Sequence, residues 1–204
     1  LKNAERHKDN PEFQQDMLET VAHVESRMRG LMSQLQEKRS IDPPRLIDLV
    51  RIARNVCASK RGQRPEVALA DDTAGPVEVL AHPERLERII GHVVQNALDA
   101  TNEDGKVSVR LAGIGSGRIR LTVEDTGCGM TPEFLRERLS RPFQTTKASG
   151  MGIGVFETRQ YVIEIGGVLR FDSELGRGTT VTIELPVGGR GGPVQAPDME
   201  TMNG

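Results

Sequence analysis

The residues best placed to do chemistry in this chain are Asp125-Thr126-Gly127-Cys128-Gly129-Met130 and, about twenty residues on, Gly150-Met151-Gly152-Ile153-Gly154. Asp125 follows the apolar strand pattern Ile119 to Val123. A carboxylate at a strand's end can accept a hydrogen bond from an exocyclic amine such as adenine's. The second cluster runs into Val155-Phe156-Glu157-Thr158-Arg159, which reads as a helix. Free backbone amides at its positive N-terminus would converge on phosphates. A third element lies upstream, in His92-Val93-Val94-Gln95-Asn96-Ala97-Leu98-Asp99-Ala100. Here His92 and Asn96 stand four apart and share a helical face. The amide oxygen of Asn96 is a neutral ligand suited to magnesium already bridged by phosphate oxygens. Each feature alone has an ordinary reading, because glycines recur in turns and helical asparagines are commonly solvated. The argument for a nucleotide rests on their combination.

The elements that must position these groups follow from periodicity. Ile89, Ile90, Val93, Val94, Ala97 and Leu98 recur at helical spacing and give the Asn96 helix one buried face, starting near Pro83. Lys106 to Ala112, Arg118 to Glu124, Val168 to Ser173 and Thr179 to Leu185 alternate like half-buried antiparallel strands. Glu66 to Leu69 and Val77 to Leu80 are short strand candidates around the turn cluster Asp71 to Pro76. Arg45 to Ala58 reads as a helix with Leu46, Leu49, Val50, Ala53 and either Val56 or Cys57 inward. Arg159 to Ile165 completes the helix after the second glycine cluster, and Pro132 to Leu139 reads as a short one. The expectation is one sheet with helices on one face and a pocket between the layers.

The first forty residues differ in character. Asp9-Asn10-Pro11-Glu12 is a helix-start signal. Met17, Val21, Val24, Met28, Leu31 and Leu35 then alternate spacings of four and three, a heptad seam that needs a partner. Either the helix lies against its own domain, or it is the second arm of a dimerising hairpin; charged outer faces and the break Ser40-Ile41-Asp42-Pro43-Pro44 favour the hairpin. Residues 188–204, rich in glycine and polar side chains, read as a disordered tail.

Composition sets bounds. A chain of 204 residues holds one well-buried domain and an appendage. Its net charge of −2 gives no field favouring nucleic acid or anionic membrane. Two cysteines point to reduced thiols and a cytoplasmic setting, with Cys128 a tolerated small residue in its loop. No apolar run reaches the roughly 18 to 20 residues that span a bilayer, so no direct membrane contact is expected here. The start at Leu1, without methionine, points to a fragment.

These residues resemble the ATP-binding domain shared by sensor histidine kinases, type II topoisomerases, Hsp90-type chaperones and mismatch-repair ATPases. Asn96 falls on the N box, Asp125 to Gly129 on the first glycine box and Phe143 on the F box. Gly150 to Gly154 fall on the second glycine box, and Gly176-Arg177-Gly178-Thr179 on the third. Arg141-Pro142-Phe143-Gln144-Thr145-Thr146-Lys147 looks like the histidine-kinase branch. The likeness covers about residues 45–187. It implies an α+β fold, a Bergerat-type two-layer α/β sandwich with a mixed sheet, preceded at 1–40 by a partial dimerisation hairpin. It implies a protein histidine kinase of a two-component system using ATP and Mg2+, with a lid at about 130–150 anchored by Phe143. Asp125, helped by Thr179, would fix adenine, and Asn96 would hold magnesium. Gly127 and Gly129 would shape the nucleotide loop, while Gly150, Gly152 and Gly154 admit amides to the triphosphate. Lys147 would offer a cation, and Thr146 either donates to phosphate or caps a turn. His92 stands where the topoisomerase branch carries a glutamate base; it either assists proton transfer, orients phosphate or is a surface histidine. The partners implied are a second copy, through the hairpin, and a response-regulator receiver domain.

Two positions depart from the family pattern. Asp99 replaces a lysine that reaches the γ-phosphate, and His82 replaces an aspartate that caps the Asn96 helix. Neither His7-Lys8 nor His23-Val24 has the acidic neighbour of a phosphoacceptor, so the acceptor is expected upstream of Leu1. The stretch Leu1 to Phe13 looks most like membrane-associated histidine kinases of the PEP-CTERM exopolysaccharide and protein-sorting systems, which implies a parent anchored in the inner membrane. The alternatives within the superfamily are a serine-directed anti-sigma-factor kinase and an ATP-gated clamp.

Overall fold

The computed structural model describes residues 43–140 and 154–189. The expected hairpin at 1–40, Phe143, Thr146, Lys147, Gly150, Gly152 and the tail beyond 189 lie outside the described residues. Chain order is β1 (Arg45–Asp48), α1 (Leu49–Ser59), β2 (Val67–Asp71), β3 (Glu78–Ala81), α2 (Pro83–Ala100), β4 (Val107–Gly113) and β5 (Arg118–Asp125). Then follow α3 (Pro132–Ser140), α4 (Gly154–Glu164), β6 (Val168–Glu174), β7 (Gly178–Pro186) and a 3-10 turn, Val187–Gly189.

Five strands form one mixed sheet in the order β2-β4-β5-β7-β6. β2 runs parallel to β4, and the other pairs are antiparallel. Alternation decides its faces. Val107, Val109, Leu111, Ile119, Leu121, Val123, Val181, Ile183 and Leu185 all point into the core. Against them α2 buries Leu86, Ile89, Ile90, Val93, Val94, Ala97 and Leu98. Each such side chain contributes about 1.5 to 3 kcal/mol relative to exposure. This register therefore holds α2, and the site residues on it, in one rotational setting. On the opposite face Glu184 is buried beneath Arg120 and Arg170, with ion pairs of 2.8 and 3.1 Å.

The beginning of the domain corrects the helix expected from Arg45. Residues 45–48 form a strand paired with β3 in a separate two-stranded ribbon, with Leu46 opposite Leu80. The cause is Asp48. Its Oδ1 accepts from Val50 N at 3.0 Å, capping α1, and from Val77 N at 3.3 Å. Val77 O in turn accepts from Leu49 N at 2.9 Å. The cap fixes where helical geometry can begin. Before it the period is two, so Ile47 is buried and Leu46, expected inward, is 49 % exposed. Within α1, Val56 rather than Cys57 is buried. The single expected sheet is likewise corrected to a sheet and a ribbon. Between β2 and β3 the chain is turned by Asp71, whose Oδ1 accepts from Thr73 N at 3.1 Å and Thr73 Oγ1 at 2.6 Å.

α4 is bound to the start of α2 by Tyr161. Its buried hydroxyl accepts from His82 N at 2.7 Å and lies 3.2 Å from His82 Nδ1. Arg85 stacks 4.1 Å above the ring and makes two 2.8 Å bonds to Glu164. His82 occupies the N-cap position of α2 without a side-chain cap bond, its imidazole serving the α4 contact instead.

Candidate functional site

The site is assembled around the C-terminal half of α2. The buried stripe of α2 leaves His92 and Asn96 half-buried along its flank. α4 starts at Gly154, where a β-carbon would lie 3.4 Å from His92 Nδ1. His92 and Gly154, each expected in the site, are therefore neighbours across the α2–α4 junction.

Asp125, the last residue of β5, is 6 % exposed and stands in register with Val107 on one side and Thr179 on the other. Its Oδ1 accepts from Gly127 N at 2.9 Å and Thr179 N at 3.2 Å. Among the described residues nothing donates to Oδ2. Burial pushes the Asp125 carboxyl above the usual range, against the lowering effect of the two amide bonds. Asp125 is thus a buried acceptor with one oxygen fixed by backbone and the other open to a donor.

The glycines of the first and third boxes have a shared physical reason. At Gly127 a β-carbon would come within 2.3 Å of Ala100 O; at Gly129, with φ of +63°, within 2.0 Å of Glu174 O. At Gly178, with φ of +121°, it would fall 1.9 Å from Asp125 O. Backbone therefore passes directly over backbone where the β5 loop, the end of α2 and the β6–β7 turn meet. Cys128 N donates to Ala100 O at 3.0 Å, and Gly176 N to Cys128 O at 2.8 Å, closing that junction. Gly127 and Gly129 act here by letting the loop lie close enough to orient Asp125.

Ser173 is a site residue that the sequence did not reveal. Its hydroxyl accepts from Met130 N at 2.9 Å and donates to Gly178 O at 3.1 Å. With that proton committed, the 2.9 Å contact to Thr179 Oγ1 has Thr179 as donor. Ser173 thereby ties the chain leaving the first glycine box to the strand that carries Thr179. Only the β6–β7 register, which sets Ser173 opposite Thr179, exposes this role. Asp125, Gly127, Gly129 and Thr179 are brought together at one end of α2; His92, Asn96 and Gly154 line its flank.

The family described as Histidine kinase-, DNA gyrase B-, and HSP90-like ATPase is matched over residues 81–189. The sensor histidine kinase ZraS of Klebsiella oxytoca is 34 % identical over 120 residues, which is 58 % of this chain and 26 % of that protein. Among solved structures, the mycobacterial sensor histidine kinase MprB superposes with a TM-score of 0.61 at 27 % identity, over 71 % of this chain and 97 % of that one. Full-length ShkA in complex with AMPPNP gives 0.62 at 28 % identity, over 75 % of this chain and 33 % of that one. The chain spans about a quarter of the curated relative's length. The ordered glycine boxes, the sheet topology and these matches agree, and the chain belongs to the histidine kinase-, DNA gyrase B- and HSP90-like ATPase family, as a catalytic domain of the sensor histidine kinase type.

Proposed function

We propose that this chain binds MgATP and transfers the γ-phosphoryl group to a histidine of its parent protein, on a helix preceding Leu1. The observation that carries the reading is Asp125, a buried carboxylate with Oδ1 held by two amides and Oδ2 open. Such an acceptor matches the exocyclic amine of adenine. Thr179 Oγ1, having given its proton to Ser173, keeps its lone pairs for the same ring edge. The Asn96 amide oxygen fits magnesium shared with phosphate oxygens, since a hard cation takes neutral oxygen ligands. Magnesium, when bound, supplies charge neutralisation and alignment of the phosphates. His92, against the start of α4, orients phosphate or holds a proton at its imidazole. Phe143 would anchor the lid, Gly150 and Gly152 would admit amides to the triphosphate, and Thr146 and Lys147 would meet its oxygens. The partners in this reading are a second copy, joined through residues 1–40, and the receiver domain of a response regulator.

Calorimetric titration with ATP, with and without magnesium, tests the reading. The parent chain is expected to bind more tightly when magnesium is present. Asn96→Ala should lose most of that gain while keeping its magnesium-free affinity. Equal magnesium dependence in parent and variant would remove Asn96 from the metal site.

A further inference from the structure

The inward face of the sheet changes character at its last rung. Val123, Val181 and Phe171 stand in register across β5, β7 and β6 and pack in the core. Two residues on in each strand, the same face presents Asp125, Thr179 and Ser173, again in register. Residues paired in this way share a face, so the three polar side chains lie side by side. The direction of their hydrogen bonds is fixed by counting. A hydroxyl has one proton and two lone pairs. Gly178 O can only accept and Met130 N can only donate, so Ser173 gives its proton to Gly178 and one lone pair to Met130. Its second lone pair faces Thr179 Oγ1 at 2.9 Å, and Thr179 supplies the proton there. Ser173 is then saturated. Among the described residues no other side chain or backbone group bonds Thr179 Oγ1, so Ser173 alone decides where the Thr179 proton points.

We infer that Ser173 is a positioning residue that sets base selectivity: by holding the Thr179 proton it leaves Asp125 and Thr179 as adjacent acceptors with no donor between them. This rests on the reading of Asp125 as the acceptor for the base. An acceptor-only edge suits a purine with an exocyclic amine and repels one with a carbonyl at the same place. Without the Ser173 hydroxyl, Thr179 can turn its proton toward the base and donate to that carbonyl. Ser173 thus acts on the base through Thr179, without touching it.

The test is calorimetric titration of the whole chain with ATP and with inosine triphosphate, which keeps the ribose and triphosphate but carries a carbonyl where adenine has its amine. Mildly alkaline buffer keeps the Asp125 carboxyl, raised by burial, ionised. The parent chain is expected to prefer ATP. Ser173→Ala should lower that preference by roughly three- to tenfold, the scale of one neutral hydrogen bond. Ser173→Cys, whose sulfur is a poor acceptor, should shift it the same way, and Ser173→Thr, which keeps the hydroxyl, should restore it. In a Thr179→Val background Ser173→Ala should leave the preference unchanged. Equal weakening of both nucleotides by Ser173→Ala and Ser173→Cys would mean that Ser173 acts only by holding the loop, and would overturn the inference. So would a shift of the same size in the Thr179→Val background. A parent chain that binds both nucleotides equally would overturn the assignment of Asp125 to the base, and one that binds neither would overturn the nucleotide reading itself, each taking this inference with it.

Discussion

Asp125→Asn is expected to weaken ATP binding by roughly 10- to 100-fold while leaving the domain folded. The asparagine carbonyl can replace Oδ1 and keep the amides of Gly127 and Thr179 satisfied. Its NH2 group then occupies the position of Oδ2, facing the adenine amine donor to donor. A hydrogen bond to a charged group contributes about 1.5 to 3 kcal/mol, which sets the size of the loss. The pH dependence has a definite sign. Burial raises the folded-state pKa of Asp125, so as pH falls through that raised value the carboxyl gains a proton, stops being a pure acceptor and binds ATP less well. Asp125→Asn should lack this acid limb. Titrations across the acidic range, with melting curves as a control on folding, check both parts.

Gly178→Ala is expected to be the most destabilising small substitution in the domain. The added β-carbon would stand 1.9 Å from Asp125 O, on a residue with φ of +121°. Backbone strain and overpacking each cost about 1 to 3 kcal/mol, so a loss of about 2 to 6 kcal/mol is expected. Gly176→Ala is the matched comparison. It has φ of +78° in the same turn, with no atom within 4 Å of its β-carbon position, and should cost only about 1 to 2 kcal/mol. Urea unfolding of both variants measures the difference. Equal losses would mean that the junction over Asp125 is not closely packed.

These two residues differ in how legible they are. Asp125 is readable from sequence because it closes an alternating apolar run and opens a glycine-rich loop, a combination that the strand-ending Asp48 and Asp71 lack. The closeness of Gly178 to Asp125 becomes visible only when β5 and β7 are set in register, since the two are far apart in the chain. The long alternating and helical segments were legible for the reason that makes them stable, namely that one face is buried at the period of the element. β1 is hidden in the sequence because Leu46, Leu49, Val50 and Ala53 also satisfy helical spacing. The informative residue was Asp48, whose capping preference marks the true start of α1. Ser173 carries no local signal, and its role arises from tertiary neighbours alone.

The central claim is phosphoryl transfer to histidine, and one labelling experiment addresses it most directly. The chain is incubated with γ-labelled ATP and magnesium, alone and with a longer version of the same protein that includes the residues before Leu1 and carries Asn96→Ala. Product is then treated with acid and with alkali, because phosphohistidine is lost in acid whereas phosphoserine survives. The account predicts no labelling of the chain alone and acid-labile labelling of the longer partner. Acid-stable label on either protein, or robust acid-labile label on the chain alone that His7→Gln or His23→Gln abolishes, would contradict it.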